Sequence, residues 1–467
     1  MISAPGRADL PQSRPPALAG LSMSMLLSSL GTSIANVALP ALAEAFGASF
    51  QAVQWVVLAY LLAITTLVVS AGRLGDLTGR RRLLLAGIAL FTLASLLCGL
   101  APTLPLLIAA RAAQGLGAAV MMALTLAFVG DIVPKEKTGS AMGLLGAMSA
   151  IGTALGPSLG GLLIAAAGWP AIFLVSAPVG LVALLLAWRT LPAGRPQPQS
   201  DRASFDVTGT ALLALTLAAY ALAMTLGRGG FGPLNLGLLL GAAAGTAVFL
   251  RVEGTAASPL IRLPMFRDSV LSAGLAASTL VSSVMMATLL VGPFYLSRAL
   301  GLGAAAVGLI LSVGPAVVAL AGVPAGRLAD RFGAERMTRA GLAAIVAGSL
   351  MLSALPASLG VCGYVAPLVV ITAGYALFQT ANNTAVMTNV DAQQRGVVSG
   401  MLNLSRNLGL VTGASVMGAV FAAAAGTADM STAQPAAVAY GMQVTFAVAA
   451  ALVALALVVA WSGRRPV

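Results

Sequence analysis

The chain has 467 residues, 59% of them hydrophobic and only 8% charged, with a net charge of +12 and no histidine. Soluble domains carry roughly a quarter charged residues, so this composition excludes an ordinary water-soluble protein and points to one built for lipid. Without histidine, the commonest general base and metal ligand are missing, and Cys98 and Cys362 show neither disulfide-framework nor zinc spacing.

The polar start MISAPGRADLPQSRPP has no short apolar core with a cleavage site, so the first apolar run is expected to stay as a helix. Crossing hydrocarbon takes about 20 apolar residues in a helix. Fourteen such runs follow, at 17–39, 52–71, 83–101, 105–129, 141–166, 171–190, 208–226, 234–250, 269–292, 302–322, 338–356, 363–388, 396–424 and 441–462. The fold class is therefore an all-α polytopic membrane protein. Its expected parts are a tail (1–16), six helices (17–190), a proline-bearing linker (191–207), two helices (208–250), a second linker (251–268), six more helices (269–462) and a short tail (463–467).

Of the 25 basic residues, Arg228 and Arg298 fall on one side of these runs, Arg111 and Arg406 fall within them, and the rest lie on the side of the termini. Basic loops stay cytoplasmic, so both termini are expected in the cytoplasm of a cell-membrane protein. The positive charge is then a topology signal, and the expected partners are the lipid bilayer and a small-molecule substrate, with no nucleic acid. No loop can hold a soluble domain, and no G-x-x-x-x-G-K-[S/T] run exists for nucleotide hydrolysis. GPSLG at 156–160 fits a serine-nucleophile pattern, but it lies in a membrane helix of a chain with no histidine to act as base. No apolar run contains Asp or Glu, so an enzyme reading lacks acid–base candidates and no metal or cofactor is expected. A channel reading lacks a repeated ring of filter residues.

The stretch GRLGDLTGRRR (72–82) returns as GRLADRFGAER (326–336). Gly72, Arg73, Leu74, Asp76, Gly79 and Arg82 recur as Gly326, Arg327, Leu328, Asp330, Gly333 and Arg336. Each copy follows the second helix of a six-helix block. Parallel halves of this kind place a substrate site near the midplane between them. Glycines at 72, 75 and 79 suit a tight turn and close backbone approach, and Asp76 stands four residues before Arg80, near enough to pair. Breakable charge pairs here read as a gate made of Gly72, Asp76, Gly79, Arg80, Arg81, Asp330 and Arg331.

On these residues the chain resembles the major facilitator superfamily. RAAQGLGAA (Arg111, Gln114) is similar to that family's helix-4 signature. GTALGPSLGG (Gly152, Gly156, Pro157, Gly160) is similar to its antiporter helix-5 signature, and ANVALP and QWVVLAYLLA resemble the fourteen-helix drug:proton branch. The resemblance implies a major facilitator fold of two six-helix bundles plus two inserted helices, and a monomeric exporter of small, largely apolar compounds with protons as candidate co-substrate. It leaves open a specific neutral or anionic metabolite as cargo.

Several residues are candidates for the substrate or coupling cavity. Arg111 and Gln114 share a helical face, and an intramembrane cation should face the bundle interior, as a functional group or as a strut bonded to carbonyls. Arg406, nearer a helix end, is either a snorkelling strut or functional. Asn36 in helix 1 and Gln379, Asn382 and Asn383 in helix 12 mark a wet face or interhelical hydrogen bonds. Gly152, Gly156 and Gly160 recur every four residues as a packing stripe, and Pro157 favours a kink. Members of the branch usually carry a helix-1 aspartate where SLGTSIANVALP has Gly31. Arg111 is then expected to leave the cavity electropositive, and any proton coupling to run through peripheral carboxylates such as Glu44 or Asp131, or through the substrate.

Overall fold

A computed structural model describes residues 15–133, 138–192, 206–226, 232–255, 263–388, 395–426 and 433–462. Fourteen of its helices are long and apolar enough to cross a membrane. The first half comprises α1 (Pro15–Val37), the short α2 (Leu39–Phe46), α3 (Phe50–Thr78), α4 (Arg80–Gly99), α5 (Leu104–Ile132), α6 (Thr138–Ala167), the single turn α7 (Ala171–Leu174) and α8 (Ser176–Thr190). An inserted pair follows, α9 (Val207–Thr225) and α10 (Pro233–Thr255). The second half comprises α11 (Ser269–Phe294), α12 (Ala304–Phe332), α13 (Ala334–Ala354), α14 (Gly360–Met387), α15 (Arg395–Thr412), α16 (Gly418–Ala425) and α17 (Pro435–Ser462). Helix α11 runs on into a π-helical turn at Tyr295–Ala299, and a second π turn, Gly413–Met417, joins α15 to α16.

Hydropathy ends before helix does. The runs expected at 52–71 and 302–322 are helical to Thr78 and Phe332, so most of each repeated polar stretch is the last two turns of a helix. Gly72 and Gly75 are helical, and only Gly79 (φ 95°) and its counterpart Gly333 (φ 88°) turn the chain. A side chain is disfavoured at positive φ, which is why each repeat needs glycine at that place. Gly75 instead provides close approach, since a Cβ there would stand 2.6 Å from Leu124. Helix α10 likewise extends past the expected 250, which puts the buried Glu253 inside a span read as free of carboxylates.

Glycine sets the close crossings. The α6 stripe packs on α1: a Cβ at Gly156 would stand 2.9 Å from the Ile34 nitrogen, and one at Gly160 2.7 Å from Val37. Gly152 meets Leu30 and Ser29 in the same way, and α6 runs through Pro157 without interruption. In the first half α4 crosses α5 at Gly87 and Gly117, and in the second α13 crosses α14 at Gly341 and Gly374. Gly87 lies eight residues after the turn glycine Gly79, and Gly341 eight after Gly333, so the loop repeat extends into the packing. Helix α9 of the inserted pair lies against the seam between halves, and α10 packs on α9. Trp55 Nε1 of α3 donates to Thr225 of α9 at 3.1 Å, Ser70 and Thr210 lie 3.0 Å apart, and the Tyr220 hydroxyl meets Thr412 of α15.

The two halves touch at the end of the bundle away from the termini, here the far end. A Cβ at Gly161 of α6 would stand 2.9 Å from the Gly308 Cα of α12, so the two backbones are in direct contact. Phe50 of α3 is set between Phe294 and Phe421, with ring centroids 4.9 and 5.4 Å away. Roughly four turns along the same face of α12, a Cβ at Gly322 would meet nothing within 4 Å, and the same holds for Gly146 on α6. The α6 and α12 backbones touch at the far end, and at Gly322 and Gly146, nearer the termini, each has open space beside it.

Candidate functional site

Two polar centres lie inside the bundle. The first surrounds Arg111 on α5, which is fully buried. Its Nε donates to the Val56 carbonyl at 2.8 Å, Nη2 to the Gly31 carbonyl at 3.0 Å, and Nη1 to Gln114 Oε1. Gln114 in turn donates from Nε2 to Ser95 Oγ at 2.7 Å. The guanidinium carbon lies 4.1 Å from the Tyr60 ring centroid, and the Tyr60 hydroxyl donates to the Ser28 carbonyl at 2.7 Å. A buried cation without a carboxylate is tolerable when carbonyl dipoles and a π face surround it. The Arg111 charge faces carbonyls and rings, so in this conformer it ties α1, α3 and α5 together as a strut.

The second centre is a cavity of about 130 Å³ between α11, α14 and α15, in the half of the bundle nearer the termini. Gln379, Asn382 and Asn383 of α14 meet Arg406 of α15 on its wall, with Asn403 and Tyr375. Arg406 Nη2 donates to Asn403 Oδ1 at 2.9 Å, and Asn382 Nδ2 donates to the Gly274 carbonyl at 3.2 Å. Among the described residues no carboxylate lines the cavity. A guanidinium among neutral amides attracts an anionic or acceptor-rich group and disfavours a permanent cation.

Asn36 joins neither centre. Its Nδ2 bonds back to the Thr32 and Ser33 carbonyls, and its Oδ1 is buried with no partner among the described residues. Glu44 is exposed at the far end and reaches Arg298 of the other half at 3.5 Å. In the loop repeat, Arg81 donates to the Trp188 carbonyl, while Asp330 and Arg331 are exposed, with Arg331 stacked 5.2 Å from the Phe332 ring. Arg80 is engaged in an interaction at the start of α4. The Asp76 and Asp131 side chains, and so the expected Asp76–Arg80 pair, lie outside the described residues. Met121 and Met286 are ordinary buried core, and Cys98 and Cys362 are free thiols.

Sequence reasoning passed over Tyr60 and Ser95, whose roles come from neighbours distant in the chain, and Asn403, which stands three residues before Arg406 on the same helix. It also passed over Gln51 and Gln54, two amides one turn apart in an apolar helix. That spacing was a readable signal.

Residues 21–414 match the sequence model of the Major Facilitator Superfamily. The multidrug resistance protein Stp of Mycobacterium tuberculosis is 35% identical over 415 residues, which cover 86% of this chain and 75% of that protein. The riboflavin transporter RibZ of Clostridioides difficile is 31% identical over 405 residues, covering 86% of this chain and 87% of RibZ. The fold is similar to that of a bacterial homolog of the human lysosomal transporter Spinster, solved inward-facing and unoccupied. The TM-score is 0.70 at 16% identity, over 97% of this chain and 100% of that one.

Proposed function

Because the chain belongs to the major facilitator superfamily, and is thus a multi-pass membrane transporter, we propose that it exports small, largely apolar compounds from the cytoplasm by alternating access. The observation that carries this reading is the Arg406 cavity, which lies on the side of the bundle where α6 and α12 part while their far ends are sealed. Both termini are then cytoplasmic, the far end faces outward, and a single chain is the working unit in the cell membrane. The likeness to Stp supports drug-type cargo.

A second reading, export of one neutral or anionic metabolite, is favoured by the cavity's charge and by the likeness to RibZ. In both readings proton coupling does not use helix 1, where Gly31 offers only its carbonyl. It passes through peripheral carboxylates such as Asp131 or through the ionisation of the cargo itself. The duplicated loops control switching, so Asp76→Asn slows transport and leaves affinity within a few-fold.

The test begins with an unbiased accumulation and resistance screen in cells with and without the protein. Inverted vesicles with an imposed pH gradient then compare a permanent cation with a weak acid. Arg406→Gln is expected to cut weak-acid transport about tenfold, the scale of one lost charge-assisted hydrogen bond. Strong proton-driven export of the permanent cation, unchanged by Arg406→Gln, would overturn the preference for neutral or anionic cargo.

A further inference from the structure

The far-end seam between α3 and the second half contains polar groups that closure leaves unpaired. Gln54 is 1% exposed and Gln51 6% exposed, and among the described residues neither the Oε1 nor the Nε2 of either amide meets a hydrogen-bond partner. Gln54 crosses the seam: its amide lies against the backbone of Gly418 at the start of α16, where a Cβ would collide with Nε2 and stand 3.0 Å from the amide carbon. Gln51 is one turn nearer the far end, on the same face of α3. Ser415 is fully buried three residues before Gly418, and its Oγ also meets no partner among the described residues. It sits in the π turn Gly413–Met417, a distortion frequent at functional sites. Beside Gln51 in sequence is Phe50, the ring set between Phe294 and Phe421.

A buried amide with nothing to bond is costly, and two of them on one wall are not what a permanent structural contact selects. An apolar side chain of similar volume would close this seam better. Separation of α3 from α16, the movement that would open the far end, would free the Gln54 amide to bond.

We infer that Gln51, Gln54 and Ser415 form a concealed release subsite, completed as the far end opens, that takes the neutral hydrogen-bonding edge of a planar aromatic compound. An amide offers one donor group beside one acceptor, which matches the edge of an imide, lactam or similar group, and the Phe50, Phe294 and Phe421 rings supply the stacking face. No charged side chain takes part, so the subsite reads shape and hydrogen bonding, while Arg406 at the opposite end of the path reads charge. The inference rests on the transport reading above, because the seam must part.

The test uses the full-length protein in lipid nanodiscs with spin labels at Ala45→Cys and Gly303→Cys, one on each half at the far end, in a Cys362→Ser background. The probes are naphthalimide, whose imide carries N–H, and its N-methyl derivative, which cannot donate. The expected result is that naphthalimide lengthens the label separation with an apparent Kd about three- to tenfold lower than that of the methylated probe, the scale of one net hydrogen bond. Gln54→Met and Gln51→Met should bring that ratio toward one. Without probe, Gln54→Met should move the population toward the short separation, because an unpaired amide has left the closed seam.

Equal affinities in the wild type, a preference that survives both substitutions, or a seam loosened by Gln54→Met would each overturn the subsite. Long separations that show no imide preference overturn the subsite and leave the transport reading standing. If no condition produces a long separation, the transport reading fails and takes the subsite with it.

Discussion

Arg111 donates from Nη2 to the carbonyl oxygen of Gly31 at 3.0 Å, so a backbone dipole faces the buried guanidinium at the place where the branch usually has a carboxylate. The site is also crowded. A Cβ at Gly31 would stand 2.7 Å from the Tyr60 hydroxyl and 3.4 Å from the Phe91 ring. The absent aspartate and the buried tyrosine are therefore one arrangement.

Gly31→Asp is accordingly expected to destabilise the fold by about 1–3 kcal/mol, the usual range for overpacking. In the wild type, Tyr60→Phe loses the bond to Ser28 and costs about 1 kcal/mol. In the Gly31→Asp background the same change removes the colliding oxygen and should restore stability. Thermal unfolding of the four proteins in one detergent checks this double-mutant cycle. A Tyr60→Phe effect of the same sign in both backgrounds would show that the hydroxyl is not the obstacle.

The Gly161–Gly308 contact predicts a conformational shift from a single methyl group. Gly308→Ala would place its Cβ 2.9 Å from the Gly161 Cα and against the Pro157 carbonyl. The backbone cannot yield as a flexible side chain would, so α6 and α12 must separate. The expected outcome is a larger far-end-open population, read from the Ala45–Gly303 label separation, with little loss of folded protein. An unchanged distance distribution would mean that the seal lies elsewhere.

The Glu44–Arg298 pair predicts a small, salt-sensitive effect. Both side chains touch solvent, and exposed pairs contribute about 0–1 kcal/mol. Glu44→Gln should shift the far-end equilibrium by less than about fivefold, and the shift should shrink at high ionic strength as screening takes over. Exchanging the partners, Glu44→Arg with Arg298→Glu, should restore wild-type behaviour. Complete loss of ion-driven transport in Glu44→Gln alone, with closure unchanged, would instead make Glu44 a coupling residue.

Topology is checked by reporter fusions. Fusions after residue 198 and at the C-terminus should report cytoplasm, and one after 229 the outside. A cytoplasmic signal at 229 would contradict insertion of α9 and α10 as a spanning pair.

The sequence alone determined the span count, the halves and their repeat, because each rests on a local signal: the length of an apolar run, the side on which arginines collect, or glycine at a fixed offset. The 79–333 turn pair and the Gly152, Gly156, Gly160 stripe belong here, since a helix face follows from spacing. The grouping of Gln379, Asn382 and Asn383 was legible for the same reason, and so was the Arg111–Gln114 pair.

Tertiary structure decided what those groups face. Arg111 and Arg406 are both intramembrane arginines, yet one is a strut held by carbonyls of α1 and α3 and the other lines a cavity. The difference comes from helices up to 80 residues away in the chain. The spacing of Gln51 and Gln54 marks a polar face of α3, but that Gln54 meets α16 across the seam is decided by the packing. Partners supplied across the seam of two moving halves leave no periodic trace within either helix, so only the packed bundle reveals which polar groups remain unpaired when the far end is shut.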